Sequence, residues 1–340
     1  MGAKKYNIGG ERYKLISYII YALARVVIFF MGIFPRNLGI AVIRLLASGA
    51  YYLDIRHRHI AKVNLQIAFP ELSARQRSRI ARKSFQNTAM NLLEISRLPK
   101  LTPDNIASLV GYDPRMGLQN YNAASARGKG ILYLTGHFSS WELLPSAHAL
   151  HGYPLSFITR PLDNSLLERY LLNLRESKGN QVLNKKNSAR QILKNLKSHG
   201  TAGILMDQNT SLQEGIFADF FGIPAATTTG IAFFALHTDA PVLPGYLTPM
   251  QNGRYTIKFL PPVDIIRTGD QTRDLELNTR RFNQILENII REQPESWLWG
   301  HKRWKYQPDG NPPNLYKLSP QELSEFIKKH RGKSSAGSLS

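Results

Sequence analysis

Residues 129–144, KGILYLTGHFSSWELL, decide how this chain folds. The apolar run at 131–134 predicts a buried strand, and the Thr-Gly pair that follows it indicates a turn. Ser139 then begins a predicted amphipathic helix. The strand therefore brings His137, and five residues later Glu142, to a strand-to-helix turn. Open α/β sheets hold their reactive groups at such turns, so this pair is the first candidate for a functional site.

The pair His137 and Glu142 has the chemistry of a general base and its carboxylate partner. A carboxylate held against one ring nitrogen fixes the tautomer and stabilises the imidazolium that forms when the other nitrogen takes a proton from a hydroxyl. The hydroxyl then becomes nucleophilic enough to attack a thioester carbonyl. Two structural alternatives stay open: Ser139 and Glu142 match a capping box, and His137 is then a hydrogen-bonded turn residue. Near-normal turnover of Glu142→Gln would exclude the catalytic role, because glutamine can cap but carries no charge.

Composition bounds the kind of protein and its partners. The chain has 340 residues and 43% hydrophobic content, enough for one large α/β domain with an appendage. Its 44 Lys+Arg against 24 Asp+Glu give a net charge of +20. So basic a surface predicts anionic partners, which are nucleic acid, acidic lipid headgroups or an acidic carrier protein. The absence of cysteine excludes disulfides, thiolate nucleophiles and thiolate-bound zinc.

The N-terminal segment is expected to associate with a membrane. Residues 1–13 form a basic tail, and residues 15–34 are a mostly apolar run long enough to cross a bilayer. Polar residues recur along this run at helical spacing: Lys14, Tyr18, Tyr21 and Arg25. That stripe favours a helix in the interface or docked on the protein, so we expect a monotopic anchor with the body in the cytoplasm. Residues 38–53 predict a second apolar helix, as a membrane partner or as core, and 14–54 are assigned as membrane-associated helices.

The remainder predicts an α/β domain over 55–306, with a mostly parallel sheet flanked by helices. After 131–134, strands are predicted at 155–159, 203–206, 242–247 and 255–259. Helices are predicted at 73–95, with a capping box at its start, and at 164–177, 188–198, 229–237 and 272–291. Residues 307–340 are expected to be a basic tail whose last ten residues are disordered.

Three predicted strands end on polar residues: His137, Arg160 and Asp207. Because the carboxyl ends of parallel strands share one edge, we expect these side chains to meet in one cleft. Arg160 is a candidate for binding an acceptor phosphate or pairing with Asp207, against the simpler interpretation of a charged residue before a proline. Asp207 can equally cap the turn at its strand end.

Three further stretches are candidate binding surfaces. Lys186 and Arg190, with basic neighbours, form a possible dock for phosphate or an acidic carrier. DFFGIPAATTT at 219–229 is interpreted as a loop that lines an acyl slot or packs internally. SWLWGHKRWK at 296–305 mixes tryptophan with basic residues, which suits the level of lipid headgroups, although tryptophan is more often core.

Several stretches together resemble a known family. They are NLQIAFPELS at 64–73, GHFSSWE at 136–142, RPLDN at 160–164, DQN at 207–209, FFGIPAATTTGIAFFALHTDAPVLP at 220–244 and WLWGHKRWK at 297–305. In this order, and after an N-terminal apolar helix, they resemble the bacterial late acyltransferases of lipid A biosynthesis, which include lauroyl- and myristoyl-transferases. The resemblance spans roughly residues 15 to 306.

The resemblance implies a glycerolipid acyltransferase-like fold and specific residue roles. His137 matches the base that deprotonates an acceptor hydroxyl, Glu142 its partner, Arg160 a central arginine and Asp207 an acidic residue of the site. The family moves a fatty acyl chain from acyl carrier protein to a hydroxyl of a lipid A precursor at the cytoplasmic face of the bacterial inner membrane. It requires no metal or organic cofactor. Phosphatidylinositol mannoside acyltransferases share the motif, so another glycolipid is the alternative acceptor, and coenzyme A the alternative donor.

Two other classes of protein compete with an acyltransferase. A nucleic-acid-binding protein would explain the charge, but the sequence has no helix-turn-helix, zinc-finger or RNA-reading signature. A metal hydrolase would use His137, Glu142, His148 and His151, and stoichiometric zinc in purified protein would favour it. With cysteine absent and Ser139 and Ser140 expected at a helix start, we expect direct transfer in a ternary complex. A trapped acyl-enzyme on either serine would contradict that expectation.

Overall fold

The computed structural model describes residues 7–159, 161–183, 188–308 and 314–336. The α-helices in these ranges are α1 Asn7–Ile33, α2 Arg36–Leu53, α3 Ile55–Ala68, α4 Ala74–Arg97, α5 Pro103–Ile106, α6 Leu118–Ser125, α7 Leu143–Leu150, α8 Ser165–Glu176, α9 Ser188–Lys197, α10 Gly230–Thr238, α11 Gln271–Glu292 and α12 Pro320–Ala336. The strands are β1 Val110–Tyr112, β2 Ile131–Thr135, β3 Ser156–Ile158, β4 Gln181–Leu183, β5 Thr201–Leu205, β6 Gly215–Phe220, β7 Ile223–Thr228, β8 Val242–Pro249 and β9 Tyr255–Phe259.

The central sheet is mostly parallel and is covered by helices on both faces. Within the described ranges it has seven strands in the order β1-β9-β8-β2-β5-β3-β4, and β8 and β9 form its antiparallel pair. Alternate residues of β2 point to opposite faces, as its pleat requires. Leu132 and Leu134 join the core beneath α9, α10 and α11, whereas Ile131 and Tyr133 join the core beneath α6 and α7. The predicted α/β class is confirmed.

The N-terminal helices α1 and α2 both pack on α4. Gly32 permits the close approach of α1, because a Cβ there would lie 2.9 Å from the Ser96 carbonyl oxygen. The Arg25 guanidinium lies 4.5 Å from the centre of the Tyr170 ring on α8, so this arginine faces the protein. Residues Lys14–Ile33 are long and apolar enough to cross a membrane, and only 11% of that window is buried. The helix begins at Asn7, inside the segment expected to be a tail.

A buried polar chain connects the start of α2 to the turn after β2. Arg36 donates two hydrogen bonds to Glu94, at 3.0 and 2.7 Å, and Glu94 accepts a 2.8 Å bond from the Tyr255 hydroxyl. That hydroxyl lies 3.0 Å from Ser140 Oγ. Since Glu94 is fully buried, its charge requires these partners.

The structure decides three expectations about local structure. Residues 219–229, expected to be a loop, lie mostly in the hairpin β6–β7, whose two-residue turn has φ of 54° at Phe221 and 72° at Gly222. Residues 331–340 were expected to be disordered; 331–336 lie in α12, which extends to Ala336, and the last four lie outside the described residues. Trp297, Trp299 and Trp304 are buried, so the core alternative is confirmed over a headgroup-level surface. The predicted capping box of Ser73 and Gln76 is confirmed.

Candidate active site

The site is built where β2 and β5 end side by side. Thr135 pairs with Leu205 in register, so His137 and Asp207 follow their strands at the same sheet edge. The Asp207 carboxylate accepts a 2.8 Å hydrogen bond from the His137 backbone N–H and lies 2.9 Å from its ring Nδ1. Gly136 makes room for the carboxylate, since a Cβ there would lie 2.9 Å from Asp207 Cγ. The predicted meeting of these two strand ends is confirmed.

Asp207 is buried and is held in its charged form. Its side chain is 1% exposed, and Trp297 Nε1 donates a further hydrogen bond to it at 2.7 Å. Burial alone would raise the pKa of Asp207, but the His137 ring, the His137 backbone N–H and the Trp297 indole N–H together lower it. For His137, burial lowers the pKa, while the charges of Asp207 and Glu142 outweigh burial and raise it. Both directions describe an anion that stabilises an imidazolium.

The other ring nitrogen of His137 faces an open space. Its Nε2 lies 3.2 Å from the amide nitrogen of Gln208, and the ring is 20% exposed. Because Nδ1 donates its hydrogen to Asp207, Nε2 carries the lone pair of the neutral imidazole. The Trp141 ring lies edge-on to the imidazole, with 5.1 Å between ring centres. A substrate hydroxyl that displaces the Gln208 amide would find a base already in the correct tautomer.

Glu142 pairs with an arginine that sequence reasoning did not single out. Arg175, in the last turn of α8, donates to both carboxylate oxygens, from Nε at 3.0 Å and from Nη2 at 2.8 Å. The ring-binding partner of His137 is therefore Asp207, and the expectation that Glu142 reaches back to the ring is corrected. Glu142 still contributes its charge to the raised pKa of His137. The sequence signal for Arg175 is its position: it is a charged residue beside Leu174 on the apolar face of α8.

The alternative capping box at Ser139 and Glu142 is wrong. Ser139 has a left-handed φ of 51°, and α7 begins only at Leu143. Asn91 of α4 satisfies the turn instead: its amide donates to the Ser139 carbonyl at 2.9 Å and accepts from the Glu142 N–H at 3.1 Å. The turn is thus fixed by a helix that precedes the sheet in the chain.

A cavity of about 360 Å³ opens beside His137 and runs over the sheet. We call it the donor cavity, after the acyl donor that the sequence resemblance predicts. Polar groups line one part of it, namely His137, Glu142, Arg175 and Gln208, and apolar side chains line the remainder: Trp141, Leu144, Pro145, Leu155, Phe157, Ile158 and Leu205. Gly203 creates the slot, because it lies between Tyr133 and Phe157 in a row across three strands. A Cβ on Gly203 would lie 3.3 Å from Leu155 Cδ1. An apolar channel that ends at a base and an arginine suits a fatty acyl group with a polar carbonyl end.

Side chains that competing mechanisms need are engaged elsewhere. Ser139 and Ser140 are 3% and 0% exposed, which removes them as accessible nucleophiles. His148 is buried, with its ring nitrogens bonded to the hydroxyls of Tyr112 and Tyr133, and burial lowers its pKa to about 3. His151 Nε2 lies 2.9 Å from the Val110 carbonyl oxygen. The metal-hydrolase interpretation required these two rings as ligands beside His137.

Three of the predicted site residues remain, and one of them, Arg190, lies within the described residues. Arg160 and Lys186 lie outside the described residues. Arg190 is exposed in the first turn of α9, which follows β4 and so begins at the same sheet edge as the site. His301 was part of a recognised motif without an assigned role; its Nε2 accepts the Asn209 N–H at 2.9 Å. Burial lowers the pKa of His301 to about 4, so it is neutral.

Known proteins that are similar in sequence to this chain are lipid A biosynthesis acyltransferases. The profile of the bacterial lipid A biosynthesis acyltransferase family matches residues 9–306. The lipid A biosynthesis lauroyltransferase of Escherichia coli strain K12 is 26% identical, over 76% of this chain and 82% of the relative. A lipid A biosynthesis acyltransferase of Haemophilus influenzae is 24% identical over 75% of this chain and 78% of its own. The palmitoleoyltransferase of E. coli K12 is 26% identical, with 75% and 81% covered.

Proposed function

The chain belongs to the bacterial lipid A biosynthesis acyltransferase family, an acyl-transferring class of enzyme, and from this premise we propose that it esterifies a hydroxyl of a lipid A precursor with His137 as general base. One observation carries the proposal: His137 Nδ1 is engaged by a buried carboxylate while Nε2 faces a cavity with an apolar end. A ring held in this way takes a proton only at Nε2.

The reaction is a direct transfer in a ternary complex. As the acceptor oxygen attacks the thioester carbonyl carbon, Nε2 takes the hydroxyl proton, and a tetrahedral oxyanion forms. The C–S bond then breaks, and the imidazolium returns its proton to the leaving thiolate. The products are an ester and a free thiol, and the ring is neutral again. The burial of Ser139 and Ser140 supports this route over an acyl-enzyme.

Arg175 is a cationic group of the donor cavity, and we assign it to stabilise the oxyanion. The backbone N–H groups of residues 137, 138, 139 and 142 already have acceptors. Arg175 lines the donor cavity and uses only Nε and Nη2 on Glu142. Glu142 then has the role of positioning this guanidinium and adding charge near His137, and it does not orient the ring itself.

The proposed donor is an acyl thioester of acyl carrier protein, with coenzyme A as the alternative. The fatty chain occupies the donor cavity, whose apolar walls continue from the polar end at His137. The net charge of +20 favours an anionic donor, a class that includes both acyl carrier protein and coenzyme A. Arg190, Lys194 and Lys197 are exposed on α9, and Arg190 is close to the sheet edge of the site. We assign this basic surface to carrier docking.

The proposed location is the cytoplasmic face of a bacterial inner membrane. The outward side of α1 presents large apolar residues, among them Leu23 at 62% and Phe29 at 62% exposure. The outward side of α2 adds Leu45 and Leu53 at 74% and 84%. Because Arg25 and the packing of α1 on α4 attach this helix to the body, we favour a monotopic anchor over a free span.

The decisive experiment supplies membrane-bound protein with isotope-labelled acyl carrier thioesters and candidate glycolipid acceptors, followed by mass analysis of the products. We expect one added acyl group on a lipid A precursor and at least a 10³-fold slower reaction for His137→Ala, within the range a general base contributes. Transfer only to phosphatidylinositol mannosides would show that they, and not a lipid A precursor, are the acceptor. No transfer to any amphipathic hydroxyl would contradict the function.

A further inference from the structure

A second cavity, of about 470 Å³, lies on the other side of the site between α2, α4 and the segment after Trp297. We call it the α2 cavity. Small or apolar residues line much of it, namely Ala47, Ala50, Phe85, Ala89 and Leu298. Polar groups are found at three places: Asp54 and His57, whose side chains are exposed and bonded to each other at 2.7 Å; Ser84 and Thr88 of α4; and Gln208 and His301 near the catalytic turn.

Gln208 lines both cavities. Its amide nitrogen lies 3.2 Å from His137 Nε2, the atom that takes the proton in the proposed reaction. A hydroxyl that enters from the α2 cavity and takes the place of this amide reaches Nε2. A thioester that enters from the donor cavity reaches the same atom from the opposite side. The two cavities therefore meet at the reacting position, with one side chain between them.

We propose that the α2 cavity binds the hydroxyacyl chain of the acceptor lipid, while the donor acyl chain occupies the donor cavity. This inference rests on the proposed function. The acceptor is a lipid of the bilayer, and the α2 cavity is the one walled by a helix whose outward residues, Leu46 at 60% and Leu53 at 84% exposure, are suited to lipid. The chain thus leaves the bilayer along α2 without crossing water.

Two pairs of polar groups in the α2 cavity fit the ends of such a ligand. Asp54 and His57 are exposed where a sugar headgroup would remain in water, and a carboxylate there accepts hydrogen bonds from sugar hydroxyls. Gln208 and His301 lie at the inner part, where the hydroxyl of the acyl chain must reach His137. His301 uses Nε2 on the Asn209 N–H, so its contribution is to hold the turn that carries Gln208.

Filling the α2 cavity tests the assignment. Ala50 is an exposed helix residue on its wall, so Ala50→Phe occupies the cavity without disturbing the core. We expect the KM for the acceptor to rise at least tenfold and the KM for the donor thioester to stay within twofold. The matched control is Ala41→Phe, an exposed alanine of the same helix outside the cavity lining, which should change neither KM. An unchanged acceptor KM in Ala50→Phe would overturn the proposal.

Photolabelling of the wild-type protein provides a measurement that needs no variant. The probe is a lipid A precursor analogue with a diazirine on its hydroxyacyl chain, incubated with the membrane-bound enzyme and then irradiated. We expect label in peptides that contain residues 47–57 and 84–89. Label confined to residues 155–158 and 203–205 of the donor cavity would overturn the assignment. His137-dependent transfer would then leave the proposed function intact, whereas absence of transfer by unlabelled enzyme counts against that function itself.

Discussion

Asp207 holds His137 at two points, through the backbone N–H at 2.8 Å and through ring Nδ1 at 2.9 Å. The carboxylate therefore fixes the turn and the ring together. The Asp207 side chain accepts both bonds and is 1% exposed. Asparagine has the same shape, so Asp207→Asn removes the charge but keeps the side-chain volume.

We predict that Asp207→Asn lowers kcat about 10³-fold or more, as loss of the orienting carboxylate does in related catalytic arrangements. The negative charge raises the pKa of His137 in the wild type, so activity rises with pH through that raised pKa. Without the charge, burial lowers the pKa, and the acid limb of the kcat/KM profile moves to lower pH. Asp239→Asn, an exposed carboxylate paired with Arg267, is the control and should move neither quantity.

Glu142→Gln should cost less activity than Asp207→Asn. It leaves the His137–Asp207 pair in place but removes the anion from Arg175, and we predict a loss of about tenfold to a hundredfold, within what one charged hydrogen-bonded group supplies. The acid limb should shift slightly to lower pH, since Glu142 also raises the pKa of His137. Glu276→Gln, from an exposed helical ion pair, controls for loss of a surface carboxylate. Wild-type turnover in Glu142→Gln would reduce Glu142 to a structural partner of Arg175.

Gly203→Val should shorten the preferred donor chain. Its side chain enters the row between Tyr133 and Phe157 and takes volume from the donor cavity. Each methylene that no longer fits loses about 0.8 kcal/mol, or roughly fourfold in kcat/KM. Competition between thioesters of different length, read by mass, measures the shift. Gly111→Ala, where a Cβ meets nothing within 4 Å, is the control and should keep the wild-type preference. An unchanged preference in Gly203→Val would mean that this cavity does not select the length of the donor chain.

Arg36→Met should destabilise the fold by about 3 kcal/mol, because it leaves the fully buried Glu94 carboxylate without its cation. Urea unfolding in mild detergent, followed by tryptophan fluorescence, gives the free energy of unfolding. Arg280→Met breaks an exposed i,i+4 pair with Glu276 and should cost no more than about 0.5 kcal/mol. Equal losses in the two variants would contradict the special role of the buried pair.

Leu23→Asp with Phe30→Asp should release the protein from lipid. The two side chains are 62% and 47% exposed on the outer side of α1, and burial of each contributes roughly 1.5–3 kcal/mol to partitioning. We expect at least a hundredfold weaker binding in flotation with vesicles that contain anionic lipid. Leu212→Asp, at a residue 53% exposed in the segment before β6, should float like the wild type. Extraction of wild-type protein by high salt or carbonate alone would argue against insertion.

Local sequence patterns predicted the helices and strands of this fold better than they predicted which side chains contact each other. The apolar run at 131–134 and the strand at 203–206 are where they were expected, and parallel pairing brings His137 and Asp207 together. The choice between Asp207 and Glu142 as the ring partner depends on the left-handed backbone of Ser139, which serine does not signal. Arg175 lies on α8, 33 residues later in the chain, and its contact with Glu142 depends on how α8 packs over the sheet.

The sequence did not predict the hairpin β6–β7, for a different reason. Pro224 pairs with Asp219 at the turn end of β7, and proline discourages a strand assignment. The turn residue Phe221 adopts a positive φ that large side chains rarely take, so a Phe-Gly pair is a weak hairpin signal beside Asn-Gly. Burial of Phe221 and its edge-on contacts with Phe69 and Phe220 stabilise what the local sequence disfavours.

The indole that donates to Asp207 comes 90 residues later in the chain, and the next residue, Leu298, donates its N–H to the His137 carbonyl at 3.1 Å. During translation α1 is made first, and the C-terminal third, which carries Trp297 and Leu298, is made last. Until that third arrives, the imidazole has no completed support. A chain that ends before Trp297 therefore lacks two of the hydrogen bonds that hold the imidazole and its carboxylate in place.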